Sequence, residues 1–180
     1  MKNYLFLGGF LLLSLAGWSQ HNQTWALQKP SSISYTAIHP LHKWTGTSTS
    51  VQAIMTTSND EPEKLAIMAS VRSFDSQNSN RDAHALEVLD ALKFPQVKFS
   101  STEITKATKG YTVTGTLEFH GLKKNRSIPV QFHKTESGWH LSGSFEVSLT
   151  EHEIDPPSFM LVKTEDLIKI EVDLTFEPKA

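Results

Sequence analysis

Histidine is the residue type with most to offer chemically in this chain. Eight are present, and His39, His42, His84 and His120 fall at expected strand ends or in the first turn of an expected helix. Three or four neutral imidazoles gathered from different elements could bind zinc or another divalent cation. The competing reading makes them hydrogen-bonded rim and loop side chains. Arg81 and Asp82 stand just ahead of His84, where they would either meet a polar group or anchor the helix start. Other reactive signatures are missing from the sequence. There is no cysteine, hence no thiolate metal site or thiol nucleophile. No G-x-S-x-G, Walker-type loop, dinucleotide glycine fingerprint or H-E-x-x-H occurs. The nearest approach to the last is Glu151-His152-Glu153, and Pro156-Pro157 beyond it argues against a helix. Nor do paired carboxylates sit on adjacent inward positions, as glycoside hydrolysis requires. This inventory predicts a non-catalytic protein with no cofactor; the alternative is a histidine-dependent, metal-binding exported enzyme.

The elements that must position these residues read as strands. Ile33–His39, Leu65–Ser73, Tyr111–His120, Trp139–Leu149 and Ile168–Phe176 alternate apolar and polar side chains. Period two with one polar face marks antiparallel sheet that is wet on one side. Val97–Ile104, Ile128–His133, Gly46–Met55 and a first strand near Trp25–Gln28 complete a set of about eight or nine. Turn residues at Asn59-Asp60-Glu61-Pro62, Thr108-Lys109-Gly110 and Ser137-Gly138 link them as a meander. The apolar faces must be buried by closure into a barrel or by packing of two sheets. Closure is favoured because it also removes the exposed edges of long strands. Ser79–Phe94 is the exception: Ser79 and Asp82 have capping-box spacing, while Ala85, Leu86, Leu89 and Leu92 recur at helical intervals before Pro95. The fold class is thus all-β: an antiparallel up-and-down barrel of about eight strands with one inserted amphipathic helix.

The inward rows carry Tyr35, Ile67, Val71, Val97, Phe99, Val113, Leu117, Phe119, Leu141, Phe145, Ile170 and Leu174, with Gly115 and Gly143 in phase. An eight-stranded barrel is near the size at which side chains either fill the interior or leave room for one small ligand. Inward glycines serve tight coiling of the sheet or space beside a ligand. Phe74 and Trp44 are candidate gates.

Lys2, the apolar run Leu5–Leu15 and the small-residue exit Ala16-Gly17-Trp18-Ser19 have the order of a cleaved signal peptide. The expected division is 1–19 leader and 20–180 folded domain, periplasmic or secreted. Without a cysteine to acylate, the chain is not a lipoprotein. The 17 basic and 19 acidic side chains nearly balance. That removes the electrostatic footprint of nucleic-acid binding.

Two stretches carry a family resemblance. Arg81-Asp82-Ala83-His84 with Asp90-Ala91-Leu92-Lys93-Phe94-Pro95-Gln96-Val97-Lys98-Phe99-Ser100-Ser101, and Gly115-Thr116-Leu117-Glu118-Phe119-His120-Gly121, resemble the signatures of the YceI-like family of lipocalin-type barrels. The similarity runs from about Trp25 to Glu177. One departure stands out: Leu149-Thr150-Glu151-His152-Glu153-Ile154 replaces an Arg-x-Asp-Phe-Gly-Ile pattern, so the polar contact of that arginine does not carry over. The resemblance implies an extracytoplasmic, non-catalytic carrier for an amphiphile with an isoprenoid or fatty-acyl tail. Its partner would be a polyprenyl lipid, an isoprenoid quinone or a fatty acid, with transient membrane contact. The inward rows would hold the tail, and Arg81, Asp82, His84, His39, His42 and His120 would be rim candidates for the head group.

Overall fold

The computed structural model describes residues 22–179, so the expected leader over 1–19 lies outside the described residues. In chain order the strands are β1 (Asn22–His39), β2 (His42–Ser48), β3 (Val51–Ser58), β4 (Glu61–Ser70), β5 (Gln96–Lys106), β6 (Tyr111–Phe119), β7 (Leu122–Lys134), β8 (Trp139–Ser148), β9 (Ser158–Phe159), β10 (Val162–Lys163) and β11 (Leu167–Pro178). Among the described residues a single α-helix, α1 (Ser79–Val88), is inserted between β4 and β5. All pairings are antiparallel, and β11 returns to β1, with Trp25 opposite Pro178 and Thr36 opposite Lys169. The barrel therefore closes through eight strands, β1, β3 to β8 and β11, and β2 is a ninth lying along β1.

Strand β1 joins two segments that the alternation separates. Trp25–Gln28 and Ile33–His39 form one 18-residue strand whose register shifts between Gln28 and Ser32. Conversely, the expected strand Gly46–Met55 is divided at Thr49-Ser50 into β2 and β3. The two changes have one cause. The first half of β1 pairs β3 (Asn22 opposite Ser58) and the second half pairs β2 (Ile33 opposite Ser48), so the chain must break where it changes partners along β1. Beyond Val51 opposite Ala69, β3 no longer accompanies β4, and the wall between β2 and β4 parts. A 3-10 turn over Val71–Ser73, a backbone pair between Thr47 and Asp75, and α1 span that wedge.

Helix α1 is shorter than its apolar spacing predicts. Its N-cap is Asn78, whose side chain accepts the Arg81 amide at 3.0 Å; Asp82 instead accepts the Ser76 amide at 3.2 Å. At the other end Asp90 adopts a φ of +42°, and its carbonyl accepts the Lys93 and Phe94 amides. This left-handed residue turns the chain toward Pro95 and strands Leu92 in solvent, 86% exposed.

Packing divides the interior into two halves. At the end where β11 finishes, Trp25, Phe132, Trp139 and Phe176 join Met55 and Leu174 as a filled plug. Its rings meet edge to face: Trp25–Trp139 at 6.5 Å, Phe132–Trp139 at 6.4 Å and Tyr111–Phe132 at 5.3 Å. The Trp25 indole donates to Thr57 Oγ1 at 3.0 Å, which satisfies that buried N–H. The opposite end, under α1, is hollow.

Candidate ligand-binding cavity

Above the plug lies a cavity of about 260 Å³. Its walls are the inward rows of β1, β4 to β8 and β11, and α1 covers it with Ala85, Leu86, Val88 and Leu89. Tyr35, Ile67, Val71, Val97, Phe99, Val113, Leu117, Phe119, Leu141, Phe145 and Ile170 all line it. Leu174 does not: it is fully buried one rung deeper, in the plug, because the inward row of β11 crosses from hollow to filled between Val172 and Leu174. The alternation places Leu174 inward correctly but carries no information about depth. Val71 reaches the wall from the 3-10 turn rather than from a strand.

Small side chains help to make the hollow. Ala37 and Ala69, each 4% exposed, line it with methyl groups, whereas the plug at the opposite end is built from tryptophan and phenylalanine rings. The inward glycines serve coiling rather than ligand space. A Cβ on Gly115 would meet the Ser100 carbonyl at 2.3 Å and the Phe99 ring at 2.8 Å, beside the bulge of β5 between Ser101 and Glu103. At Gly143 the same substitution would press on Val130.

Most of the polar groups gather in the wedge between β2 and β4, with Lys98 and Thr164 the other polar side chains of the lining. Tyr35, Trp44, Arg72, Phe74, Arg81, Asp82 and His84 border the cavity there. The Tyr35 ring lies 5.8 Å from Phe74, and the Arg81 guanidinium stands over Trp44 at 5.3 Å. Burial pushes the Tyr35 phenol up from its ordinary value; Trp44, donating to it, and Arg81 act the other way, while Asp82 adds to the rise. Tyr35 is thus a neutral hydroxyl where the polar mouth meets the greasy interior, beside an aromatic-stacked cation. Gly46 makes this possible, since any Cβ there would stand 2.4 Å from Cε1 of the Tyr35 ring.

Three of the rim histidines are placed elsewhere. The His39 side chain is buried: its Nδ1 accepts the Leu41 amide at 3.2 Å and its Nε2–H donates to the Val162 carbonyl at 3.1 Å. His42 lies between His39, at 5.2 Å, and Trp44, stacked at 5.1 Å, so both support the mouth from behind. His120 donates from Nδ1 to the His152 carbonyl at 2.9 Å and packs on Phe94 at 4.5 Å. The ring of Phe94 in turn fills the space a side chain at Gly121 would need. The two signature stretches therefore meet each other, locking the exit from α1 onto the β6–β7 turn. Only His84 of the four histidines borders the cavity, 3.6 Å from Glu87. The metal-dependent reading requires three imidazoles to converge, and no group of three His, Asp or Glu is so placed among the described residues.

Nearby, His152 is fully buried in a 3-10 turn over Thr150–His152, donating from Nδ1 to the Phe119 carbonyl at 3.0 Å. Burial holds its imidazole below the ordinary value. Arg126 pairs with Glu151 alongside it. The stretch that departs from the signature therefore caps the barrel end and reaches the cavity only through Leu149.

Comparison with known proteins agrees with this architecture. Over 68 residues the chain is 38% identical to a "UPF0312 protein" of Yersinia enterocolitica and 35% identical to one of Yersinia pestis; each match covers 37% of this chain and 35% of the relative, so it spans about a third of those curated proteins. Among solved structures, BcnA of Burkholderia cenocepacia superposes with a TM-score of 0.73 at 19% identity, covering 80% of this chain and 94% of that one. A polyisoprenoid-binding domain of Saccharophagus degradans gives 0.69 at 8% identity, covering 87% and 99%. These likenesses establish a shared fold. The YceI-like domain matches residues 25–176, nearly the whole described chain, and the protein therefore belongs to the YceI-like family.

Proposed function

We propose that the protein is a non-catalytic extracytoplasmic carrier that holds an amphiphile by its isoprenoid or acyl tail. One observation carries this reading: a blind, largely apolar cavity closed below by aromatic packing, with most of its polar groups gathered at the mouth. A tail entering past Trp44 and Phe74 meets mainly aliphatic and phenyl side chains. Its head group stays at the level of Tyr35 and Arg81, which can donate to an oxygen-bearing group such as a quinone carbonyl, and of Asp82, which can accept from the hydroxyl of a prenyl alcohol. The leader pattern over 1–19 supports export, and the polyisoprenoid-binding neighbour supports the ligand class. At about 260 Å³ the space is near the lower end of the roughly 300–1,000 Å³ of small-molecule sites, so it suits one tail.

Native mass spectrometry of the exported protein, followed by organic extraction, tests the proposal. Recovered protein should carry an isoprenoid or fatty-acyl lipid. Ala69→Trp, which fills the hollow from the β4 wall, should emerge empty yet folded. An unliganded parent protein that shows no mass shift with added quinone or polyprenol removes the carrier reading.

A further inference from the structure

Of the three most exposed large apolar side chains among the described residues, two are neighbours at the tip of the β9–β10 hairpin, and the third is Leu92 beyond α1. Leu161 is 101% exposed and Met160 72% exposed. They form a two-residue turn, closed by Val162 opposite Phe159, in which both residues are left-handed, with φ of +50° and +67°. A turn of this geometry favours Asn-Gly, and two bulky apolar residues in it are strained. Foldability alone does not account for their choice.

A second two-residue turn stands beside it. Pro40-Leu41 joins β1 to β2, and Leu41 is 65% exposed. The buried His39 ties the two turns together, accepting the Leu41 amide and donating to the Val162 carbonyl, while the Glu165 amide donates to the Ile38 carbonyl at 2.8 Å. In each turn a lysine follows the leucine two positions later: Lys43 after Leu41, and Lys163, which also pairs with Asp155 at 2.8 Å, after Leu161. At the base of the hairpin, Pro157 and Thr164 border the cavity.

We propose that these two turns form a membrane-docking tip, inserting Met160, Leu161 and Leu41 into the bilayer interface with Lys43 and Lys163 at head-group depth. The shape favours a bilayer over a protein partner. A protruding tip has too little surface for a stable protein interface of about 800 Å² per side, whereas apolar side chains backed by lysines match an anionic lipid surface. No described helix is long and apolar enough to cross a membrane. The choice of a bilayer rests on the carrier reading. Because the base of the hairpin borders the cavity, docking would hold that end of the cavity close to the lipid that supplies or receives the tail.

The test uses solvent-extracted mature protein and vesicles of phosphatidylcholine, with and without phosphatidylglycerol, in a flotation assay. Met160→Asn with Leu161→Gly suits the turn better than the native pair and should keep or raise the melting temperature. It should lower vesicle partitioning at least about tenfold, and Leu41→Asp should do the same. Lys43→Glu with Lys163→Glu should weaken binding only where phosphatidylglycerol is present. Absence of vesicle binding by the parent protein, or binding unchanged in the tip variants, overturns the proposal. So does a dimer, seen by sedimentation without vesicles, that the tip substitutions dissolve. As the probe is empty protein, failure to find a bound lipid defeats the carrier reading without touching this result.

Discussion

Gly46 and Gly115 both sit against side chains of the inward face, yet their substitution has different consequences. Across from Gly46 the obstacle is the far end of the Tyr35 ring, which can rotate. Gly46→Ala should therefore change stability by no more than about 1 kcal/mol while weakening ligand retention, because Tyr35 is driven from the mouth. Behind Gly115 the obstacle is the Ser100 carbonyl. Backbone cannot step aside cheaply, and Gly115→Ala should cost about 1–3 kcal/mol in urea unfolding. Equal losses in the two variants would refute this distinction. His152 adds a pH dependence. Its folded form resists protonation, since burial lowers its affinity for a proton and its Nε2 is buried without a partner, whereas the unfolded chain titrates near the ordinary value of 6.5. The unfolded state thus binds more protons, and this contribution to stability, complete above that pH, is lost as pH falls toward the lowered folded value. His152→Gln keeps a donor for the Phe119 carbonyl and removes the titration. Its melting temperature should fall less than the parent's between about pH 7 and about pH 5.

Among the elements, α1 is the most loosely held. None of its residues is fully buried, and it spans a gap in the wall instead of pairing with a strand. Its amides should exchange with deuterium sooner than those of β6 to β8, and bound ligand should slow the helix far more than the strands. Helical protection equal to that of the barrel strands in the empty protein would contradict this. The strands were largely legible in advance, because a pleated strand displays its environment at every second residue. The ends of α1 were not. Ser79-x-x-Asp82 matches a capping box by spacing, but the preceding loop is tied to β2 through Thr47 and Asp75, which hands the cap to Asn78 and Asp82 to the loop. Likewise, Leu92 continues a helical interval only while the backbone remains helical, and Asp90 ends that.

For the molecule as a whole, the combination of a plugged end and a hollow end makes tail length the main source of affinity. Each buried CH₂ contributes about 0.8 kcal/mol, hence about 4 kcal/mol per isoprenoid unit, against an association cost of about 4–15 kcal/mol. Affinity measured across quinones of increasing tail length should climb steeply for the first few units, then level off once the tail reaches Leu174 and the aromatic layer. A continued rise at the same slope would show that the plug opens. By itself, the order of residues determined an all-β chain, its inward faces, its inserted helix and its family, because each follows from local polarity or from short contiguous motifs. Whether the inward rows interlock or stand apart was decided only in three dimensions. The stagger between neighbouring strands sets the level at which each inward residue arrives. It brings Trp25, Phe132 and Trp139 together at one end and leaves Ala37 and Ala69 facing open space at the other. The same folding sends His39, His42 and His120 into supporting contacts, since a strand-end position specifies neither the direction of an imidazole nor the turn that packs over it.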